Sequence, residues 1–316
     1  MLRKAGKITA SLALTALVAG TAACGGGNDG DRLEMGSGST GGDYFSFGAA
    51  TAEMWSKNTD TRVTSKETGA SVDNLTQISE GDLDLGMSIN GTATQAAAQE
   101  GDFANVEPNF QFVGNFYPEV LHVVAGADAG IETIDDLEGK RVAIGPDGSG
   151  TQALAKKILD SAGIEPAQTF ADKFGAAGDK IADGQVDAAF GVLSVPSSAI
   201  SKVTNSTDLT FVEFGDELIQ QLLDEDSTLD QMTIEAGTYE GVDEDAVTVT
   251  NFASLYASPE VSEDVVYDLV KALYEDTADI DAALSEQVDV ENAIKGLKGV
   301  EIHPGAKKYF EEQGIL

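Results

Sequence analysis

Two glycine-rich segments, each joining an apolar strand to a helix, constrain this chain more than any other sequence feature. They are residues 36–42, Gly-Ser-Gly-Ser-Thr-Gly-Gly, and residues 145–151, Gly-Pro-Asp-Gly-Ser-Gly-Thr. Downstream of each come a Gly-Ala pair, a helix-length segment and an acidic-glycine turn, at residues 80–85 and 183–188, that enters a short apolar strand. The repetition predicts two similar α/β lobes. Two unrelated α/β units with similar turns are the alternative.

Both loops are suited to binding an anion. A helix N-terminus presents unpaired backbone N–H groups and the positive end of the helix dipole, and glycines let a ligand approach that backbone closely. In open α/β sheets, ligands bind at the carboxyl ends of the strands. The hydroxyl groups of Ser39, Thr40, Ser149 and Thr151 suit carboxylate oxygens. We therefore expect the loops to face each other across one cleft that holds a small carboxylate.

Further polar and aromatic residues fall where they would complete this cleft. Tyr44 begins the helix after the first loop, and other candidates lie near strand ends or helix starts on the same side. Taken singly, each has the simpler interpretation of a turn or capping residue. The predicted ligand-binding set is Ser39, Thr40, Gly41, Gly42, Tyr44, Asn74, Ser88, Asn90, Tyr117, Ser149, Gly150 and Thr151.

The arginines fall on the other side of the predicted sheets. Arg32, Arg62 and Arg141 each begin a strand, so they lie at the edge away from the cleft. A bidentate guanidinium clamp on the ligand is therefore not expected. Backbone amides and hydroxyl groups would hold the anion instead.

Composition excludes several other classes of protein. The 316 residues carry 19 Lys and Arg against 54 Asp and Glu, a formal net charge of −35, whereas a nucleic-acid-binding face must be basic. One Cys cannot build a disulfide framework or a multi-cysteine zinc site, and two His argue against a histidine-rich metal or catalytic cluster. We expect no cofactor and no protein-bound metal, and leave open an ion that assists ligand binding.

The N-terminus predicts export. In residues 1–23 a basic start precedes a short apolar run that ends in small residues, which is the layout of a secretory signal peptide. Cys24 follows directly and resembles the lipidated Cys of a bacterial lipobox, although Thr21 stands where an aliphatic residue is preferred. Residues 24–30 read as a flexible tether. We expect an extracytoplasmic protein attached to the membrane by lipid alone; an ordinary signal peptide with an incidental Cys is the alternative.

Two enzyme classes share parts of these motifs. Residues 36–41 match the dinucleotide fingerprint G-x-G-x-x-G, but the second loop does not repeat that spacing, and the ribose-binding acid is not at its expected distance. A serine hydrolase would use Ser149, yet Gly-Ser-Gly is not the G-x-S-x-G elbow. Nothing in the sequence brings His122 or His303 beside that serine. Both classes are minor alternatives to a binding protein.

A series of motifs extends the pattern along the chain. They occupy residues 38–45, 68–74, 81–85, 117–124, 136–142, 148–151, 183–188 and 303–306. Together and in this order they resemble the TAXI family, the extracytoplasmic solute receptors of tripartite ATP-independent periplasmic (TRAP) transporters. Residues 88–90, Ser-Ile-Asn, depart from the Gln-Ser-Asp of many members, which leaves the wall that recognises the ligand side chain undefined.

The resemblance implies an α/β, type II periplasmic-binding-protein-like fold: two lobes with a ligand cleft between them, joined by crossing hinge strands. Lobe I would comprise residues 31–122 and 248–316, and lobe II residues 123–247. The crossing strands would lie at residues 120–125 and 247–256.

The resemblance also implies a receptor rather than an enzyme. The protein would capture a small organic acid or amino acid and deliver it to TRAP-type membrane permease subunits. An ABC-type substrate-binding protein or a sensor of the same fold is the alternative.

Overall fold

The computed structural model describes residues 31–40, 42–280 and 282–316. The predicted signal peptide, Cys24 and the tether lie outside these residues. The strands are β1 (Arg32–Gly36), β2 (Arg62–Lys66), β3 (Leu85–Ile89), β4 (Gln111–Gly126), β5 (Arg141–Ala143), β6 (Gln168–Phe170), β7 (Ala188–Leu193), β8 (Leu209–Phe211), β9 (Asp230–Ile234) and β10 (Ala246–Ala257). The α-helices are α1 (Asp43–Asn58), α2 (Ser71–Glu80), α3 (Asn90–Ala97), α4 (Gly150–Ala162), α5 (Phe174–Ala182), α6 (Ser198–Thr204), α7 (Asp216–Glu225), α8 (Glu263–Glu275) and α9 (Pro304–Glu312).

The strands join into one mixed sheet whose two ends are alike. Its main path runs β2-β1-β3-β10-β4-β7-β5-β6, while β8 pairs with β4 and β9 with β10. At one end β1 lies parallel to β2 and β3, and at the other β5 lies parallel to β6 and β7. Each central strand leads through a glycine loop into a helix, α1 or α4. The internal repeat seen in the sequence is thus a repeat of strand, loop and helix.

The long strands β4 and β10 connect the two ends of the sheet. They run antiparallel, with Thr250 opposite Val120. Strand β10 also pairs with β3 and then with β9, and β4 pairs with β7 over its second half. Strand β10 thus changes its outer neighbour midway, and β4 gains β7 as a neighbour only over its second half, so both strands run from one end of the sheet to the other. The crossing strand expected at residues 120–125 is the second half of β4, which starts at Gln111 and contains Pro118 opposite Phe252.

Buried apolar residues form three clusters, one at the end of the sheet that contains β1 and two at the end that contains β5. The largest cluster draws on residues 33–117 and 253–310. The other two draw on residues 120–249 together with Ile89. We call these two ends, with the clusters they contain, lobe I and lobe II; their boundaries at 122–123 and 247–248 stay predictions.

Helix α1 is fixed so that its first turn points toward lobe II. Its inner face buries Phe47, Met54 and Trp55 in the lobe I core, and burial of each such side chain contributes about 1.5–3 kcal/mol. The Trp55 indole N–H donates to the Leu269 carbonyl of α8 at 2.8 Å. No helix within the described ranges combines the length and apolarity needed to cross a membrane.

A buried hydrogen-bond chain holds the segment after β7. His122 Nδ1 lies 2.9 Å from the Val120 carbonyl, which only accepts, so Nδ1 carries the ring proton. The other ring nitrogen, Nε2, then accepts from the Tyr239 hydroxyl at 2.9 Å, and the Tyr239 oxygen accepts from the Ser197 N–H at 3.0 Å. Burial lowers the pKa of His122 to about 4, so the ring is neutral in the folded protein.

Because His122 is neutral in this hydrogen-bond chain, we expect the stability of the protein to depend on pH. The unfolded chain, with a histidine pKa of about 6.5, binds the His122 proton more readily than the folded protein does. The stabilisation by neutral His122 is therefore complete above pH 6.5 and is lost as the pH falls toward about 4. The difference in free energy of unfolding between wild type and His122→Gln, measured with urea, should shrink over that range. A difference that does not change with pH would contradict the assignment.

Candidate functional site

A cavity of about 470 Å³ lies where the two lobes face each other. Lobe I contributes the first glycine loop, the start of α2, and the side chains of Ile89 and Glu119. Lobe II contributes the second glycine loop, the start of α5, the end of β7 and part of α6. These segments follow the carboxyl ends of strands, as expected for a ligand site in an open α/β sheet. The volume suits a small organic molecule.

Helix N-termini from both lobes converge on this cavity. Gly42 caps α1, Ser149 caps α4 and Lys173 caps α5, and all three line the wall. Within the described part of the chain, the amide N–H groups of Gly150 and Thr151 donate to no acceptor. Unpaired amides and aligned helix dipoles make this wall favourable for an anion.

The loop hydroxyl groups differ in their freedom to bind a ligand. Ser149 Oγ donates to the Pro146 carbonyl at 2.7 Å and accepts from the Gln152 N–H at 3.1 Å, so it serves as the N-cap of α4. Thr151 Oγ1 accepts from the Val192 N–H at 3.2 Å and keeps its own proton available. Backbone amides rather than the Ser149 side chain are thus the donors that the second loop offers.

Polar side chains bridge the lobes at the rim of the cavity. Asp43, in the first turn of α1, accepts from the Ser194 N–H at 2.9 Å and from the Ser194 hydroxyl at 2.7 Å. Across the mouth, Lys173 lies 3.2 Å from Glu67, which also accepts from the Thr40 N–H at 2.9 Å. The Thr40 hydrogen bond and Lys173 lower the pKa of Glu67 to about 2. The lobes are apposed in this structure by contacts that span the cleft.

Backbone contacts bring the second glycine loop against lobe I. The Gly148 carbonyl accepts from the Val72 N–H at 3.0 Å, in the first turn of α2. A Cβ at Gly150 would lie 2.9 Å from Ile89 Cδ1 and 2.9 Å from Ser71 Oγ, both in lobe I. Glycine at position 150 therefore permits the close approach of the lobes.

A buried carboxyl group lies at the floor of the cavity. Glu119 lies on β4 opposite Asn251 of β10. It is 5% exposed and contributes to the cavity wall. Burial and the neighbouring Asp43 raise the pKa of Glu119 well above its usual range. The Tyr44 hydroxyl faces this carboxyl and Ser71 but meets neither with hydrogen-bond geometry.

The structure brings together most of the predicted ligand-binding residues that it describes. Gly41 lies outside the described residues. Those that line the cavity are Ser39, Thr40, Gly42, Tyr44, Ser149, Gly150 and Thr151. Their role in binding stays a prediction.

Four predicted site residues do not line the cavity. Asn74 is fully buried, and its Nδ2 donates to the carbonyls of Gly36, Ser37 and Met87, at 3.1, 2.8 and 2.8 Å, so it ties α2 to the ends of β1 and β3. Ser88 is buried and donates to the Ile89 carbonyl at 3.2 Å. Asn74 and Ser88 are both short polar residues near strand ends. The sequence pattern alone does not distinguish such buried residues from polar residues that face the cavity.

Asn90 and Tyr117 are the other two predicted residues that lie away from the cavity. Asn90 donates to Asn115 Oδ1 at 3.2 Å and accepts from the Tyr256 hydroxyl at 2.7 Å, within a buried network that joins α3, β4 and β10. Tyr117 is fully buried and packs edge-on against Phe47, with ring centroids 4.9 Å apart. Neither side chain reaches the wall of the cavity.

Sequence reasoning missed the charged residues of the wall. Asp43, Glu119, Lys173 and Lys202 line the cavity, but none was singled out as a candidate. Two of them carried a signal: Glu119 interrupts the apolar run that forms β4, and Lys173 puts a cation at a helix N-terminus, where the dipole disfavours it. Such locally unfavourable charges are expected where function requires them.

Comparison with known proteins gives the context of this site. The NMT1-like family matches residues 35–314. Among solved structures, the periplasmic binding protein BugD is 16% identical with a TM-score of 0.54, over 90% of this chain and 94% of that chain. The substrate binding protein of an amino acid ABC transporter is 14% identical with a TM-score of 0.51, over 81% and 98%. The alkanesulfonate-binding protein SsuA from Xanthomonas axonopodis pv. citri, bound to MOPS, is 17% identical with a TM-score of 0.47, over 90% and 84%.

The first two of these structures confirm the predicted fold class. The chain has an α/β, periplasmic-binding-protein-like fold in which a mixed sheet spans two groups of helices. None of the three structures is named as a TAXI receptor, so the finer resemblance noted in the sequence has no counterpart among them.

The role of Gly150 can be tested without a ligand. A Gly150→Val side chain would collide with Ile89 and Ser71, so we expect the lobes to separate and the radius of gyration from small-angle X-ray scattering to rise. Lys156→Val places the same side chain on the exposed face of α4 and should leave the scattering unchanged. Identical curves for Gly150→Val and wild type would contradict the assigned contact.

Proposed function

We propose that this chain, which belongs to the NMT1-like family of periplasmic binding proteins, captures a small organic acid or amino acid outside the cytoplasmic membrane. Membership of this family implies an extracytoplasmic location. One observation carries the proposal: the N-termini of α1, α4 and α5 meet at a single cavity between the lobes, and amides of α4 are unpaired there.

A carboxylate is the ligand group that best fits the lobe II wall. Unpaired N–H groups bind carboxylate oxygens strongly when they are preorganised. Lys202 lies on the same wall and makes no ion pair within the described chain. The arginines that the sequence put away from the cleft begin β1, β2 and β5, and none of them lines the cavity. The anion would be held by amides with help from lysine.

We infer that the ligand is released unchanged. The Ser149 hydroxyl is engaged on both sides by its capping bonds, so it lacks an activating base. Among the residues that line the cavity there is no histidine: His122 is bound to Tyr239, and His303 caps α9. The described residues contain no group of three or more His, Cys, Asp or Glu side chains that could hold a metal ion.

The membrane partner has two candidates. The motifs of the sequence favour a TRAP-type permease, whereas the structural similarity to the substrate binding protein of an amino acid ABC transporter favours an ABC-type one. We regard the ABC-type partner as the better supported. Uptake that depends on ATP would agree with it, and uptake that depends on an ion gradient would agree with the TRAP-type permease. Lipidation at Cys24 is a separate proposal, tested by the mass of the mature N-terminal peptide.

The proposed function predicts ligand-dependent stabilisation. A ligand that binds only the folded protein at 100 times its Kd adds about 2.7 kcal/mol. In a thermal-shift screen of carboxylic and amino acids, at least one should raise the Tm of the wild-type protein by several degrees, and chromatography should recover it unaltered. The same compound should fail to stabilise Gly150→Val and should stabilise Lys156→Val. Absence of any stabilisation across the panel, or conversion of the compound, would refute the proposed function.

A further inference from the structure

The two walls of the cavity differ in charge. The lobe II wall carries Lys173, Lys202 and the N-termini of α4 and α5, whereas the lobe I side carries Asp43 and Glu119. We propose that the lobe I floor binds a cationic nitrogen, so that the ligand is a zwitterion with an ammonium group beside its carboxylate. This inference rests on the proposed function and names the class of its ligand: an amino acid rather than an oxo or hydroxy acid.

Glu119 is the main support for a cation at the floor. Its carboxyl group forms an ion pair with no described residue, although it is 95% buried and faces the cavity beside the Tyr44 hydroxyl. Its backbone, in contrast, is fully used: the Glu119 carbonyl accepts from Thr250 Oγ1 at 2.9 Å within the paired strands. A buried carboxylate without a cationic partner costs stability. An ammonium group in the cavity would supply that cation.

Two tyrosine hydroxyl groups surround the same point. The hydroxyls of Tyr44 and Tyr117 are buried and have no hydrogen-bond partner in the described structure. Tyr117 and Glu119 are two residues apart on β4, so their side chains leave the same face of the strand. Both hydroxyls lie close enough to Glu119 for its charge to raise their pKa. The Tyr44 hydroxyl, which lines the cavity, can accept a hydrogen bond from an ammonium group, whereas Tyr117 lies behind the wall and does not contact the ligand.

Asp43 decides between a cation and an anion at this floor. Its Oδ2 is held by the Ser194 amide and hydroxyl, which keeps the carboxylate near Glu119. A ligand anion beside these two acids would be disfavoured, whereas an ammonium group would be attracted to them.

The remaining charged groups of the cavity lie on the other wall. Lys173 is paired with Glu67 at the mouth, Lys202 is on α6, and Asp179 is an exposed residue of α5. The zwitterion would thus lie with its carboxylate toward α4 and α5 and its ammonium group toward β4.

Matched ligand pairs test this inference separately from the proposed function. Each L-amino acid is compared with its own 2-oxo acid, for example glutamate with 2-oxoglutarate, by isothermal titration calorimetry. Tight binding of an amino acid with at least tenfold weaker binding of its 2-oxo partner supports the inference. Equal or tighter binding of the 2-oxo acid overturns it and leaves the proposed function intact. Failure of every compound overturns both.

A variant and a proton balance test the role of Glu119. Loss of the charged hydrogen bond in Glu119→Gln should weaken the amino acid about tenfold to a hundredfold and leave the 2-oxo acid nearly unaffected. Glu217→Gln, the same change on the exposed first turn of α7, should bind as wild type. Unchanged amino-acid affinity in Glu119→Gln would overturn the assignment.

Proton release on ligand binding is a second readout of Glu119, measured first on the wild-type protein. Because the pKa of Glu119 is raised in the free protein, docking of an ammonium group would release protons. Calorimetry in buffers of different ionisation enthalpy should therefore detect net proton release by the wild-type protein and much less by Glu119→Gln. The absence of release in the wild type, together with unchanged amino-acid affinity in Glu119→Gln, would contradict a cation at this floor.

Discussion

The antiparallel pairing of β4 with β10 is the constraint on which the rest of the molecule depends. Strand β10 pairs with β3 of lobe I and with β9 of lobe II, and β4 forms a bridge from Phe112 to Ile302 in lobe I before it pairs with β7 of lobe II. The strands therefore fix how the carboxyl edge of one lobe faces that of the other. Each glycine loop alone would form only half of a binding site. Because the crossing strands hold the lobes face to face, the two loops form opposite walls of one cavity.

The contacts that hold the lobes together are individually weak. The Lys173–Glu67 pair is half-exposed on both sides, and exposed ion pairs contribute at most about 1 kcal/mol. The hydrogen bonds of Ser194 to Asp43 add a modest amount. The state with the lobes in contact is thus only slightly lower in free energy than a state with the lobes apart. A ligand that touches both walls shifts this equilibrium by its preference for the apposed state.

Much of the fold and part of the site could be predicted from the sequence, because both follow from local patterns. The helix-length segment between the first Gly-Ala pair and the turn at residues 80–85 forms α2, and Gly81 ends this helix in a left-handed conformation with φ of 83°. The sequence could not separate Asn74 and Asn90 from cavity residues, because tertiary packing decides which polar side chains tie strands together. For the same reason it missed Asp43 and Glu119, whose roles depend on elements that meet only in the folded chain.

The central claim is that helix N-termini of the two lobes bind one ligand, and amide chemical shifts test it most directly. The ligand found in the thermal-shift screen would be titrated into ¹⁵N-labelled protein. The account predicts that the largest shifts fall on the N–H groups of Gly150 and Thr151, in α4, and at the start of α1 across the cleft. Saturable binding with the largest shifts outside the cavity would contradict it.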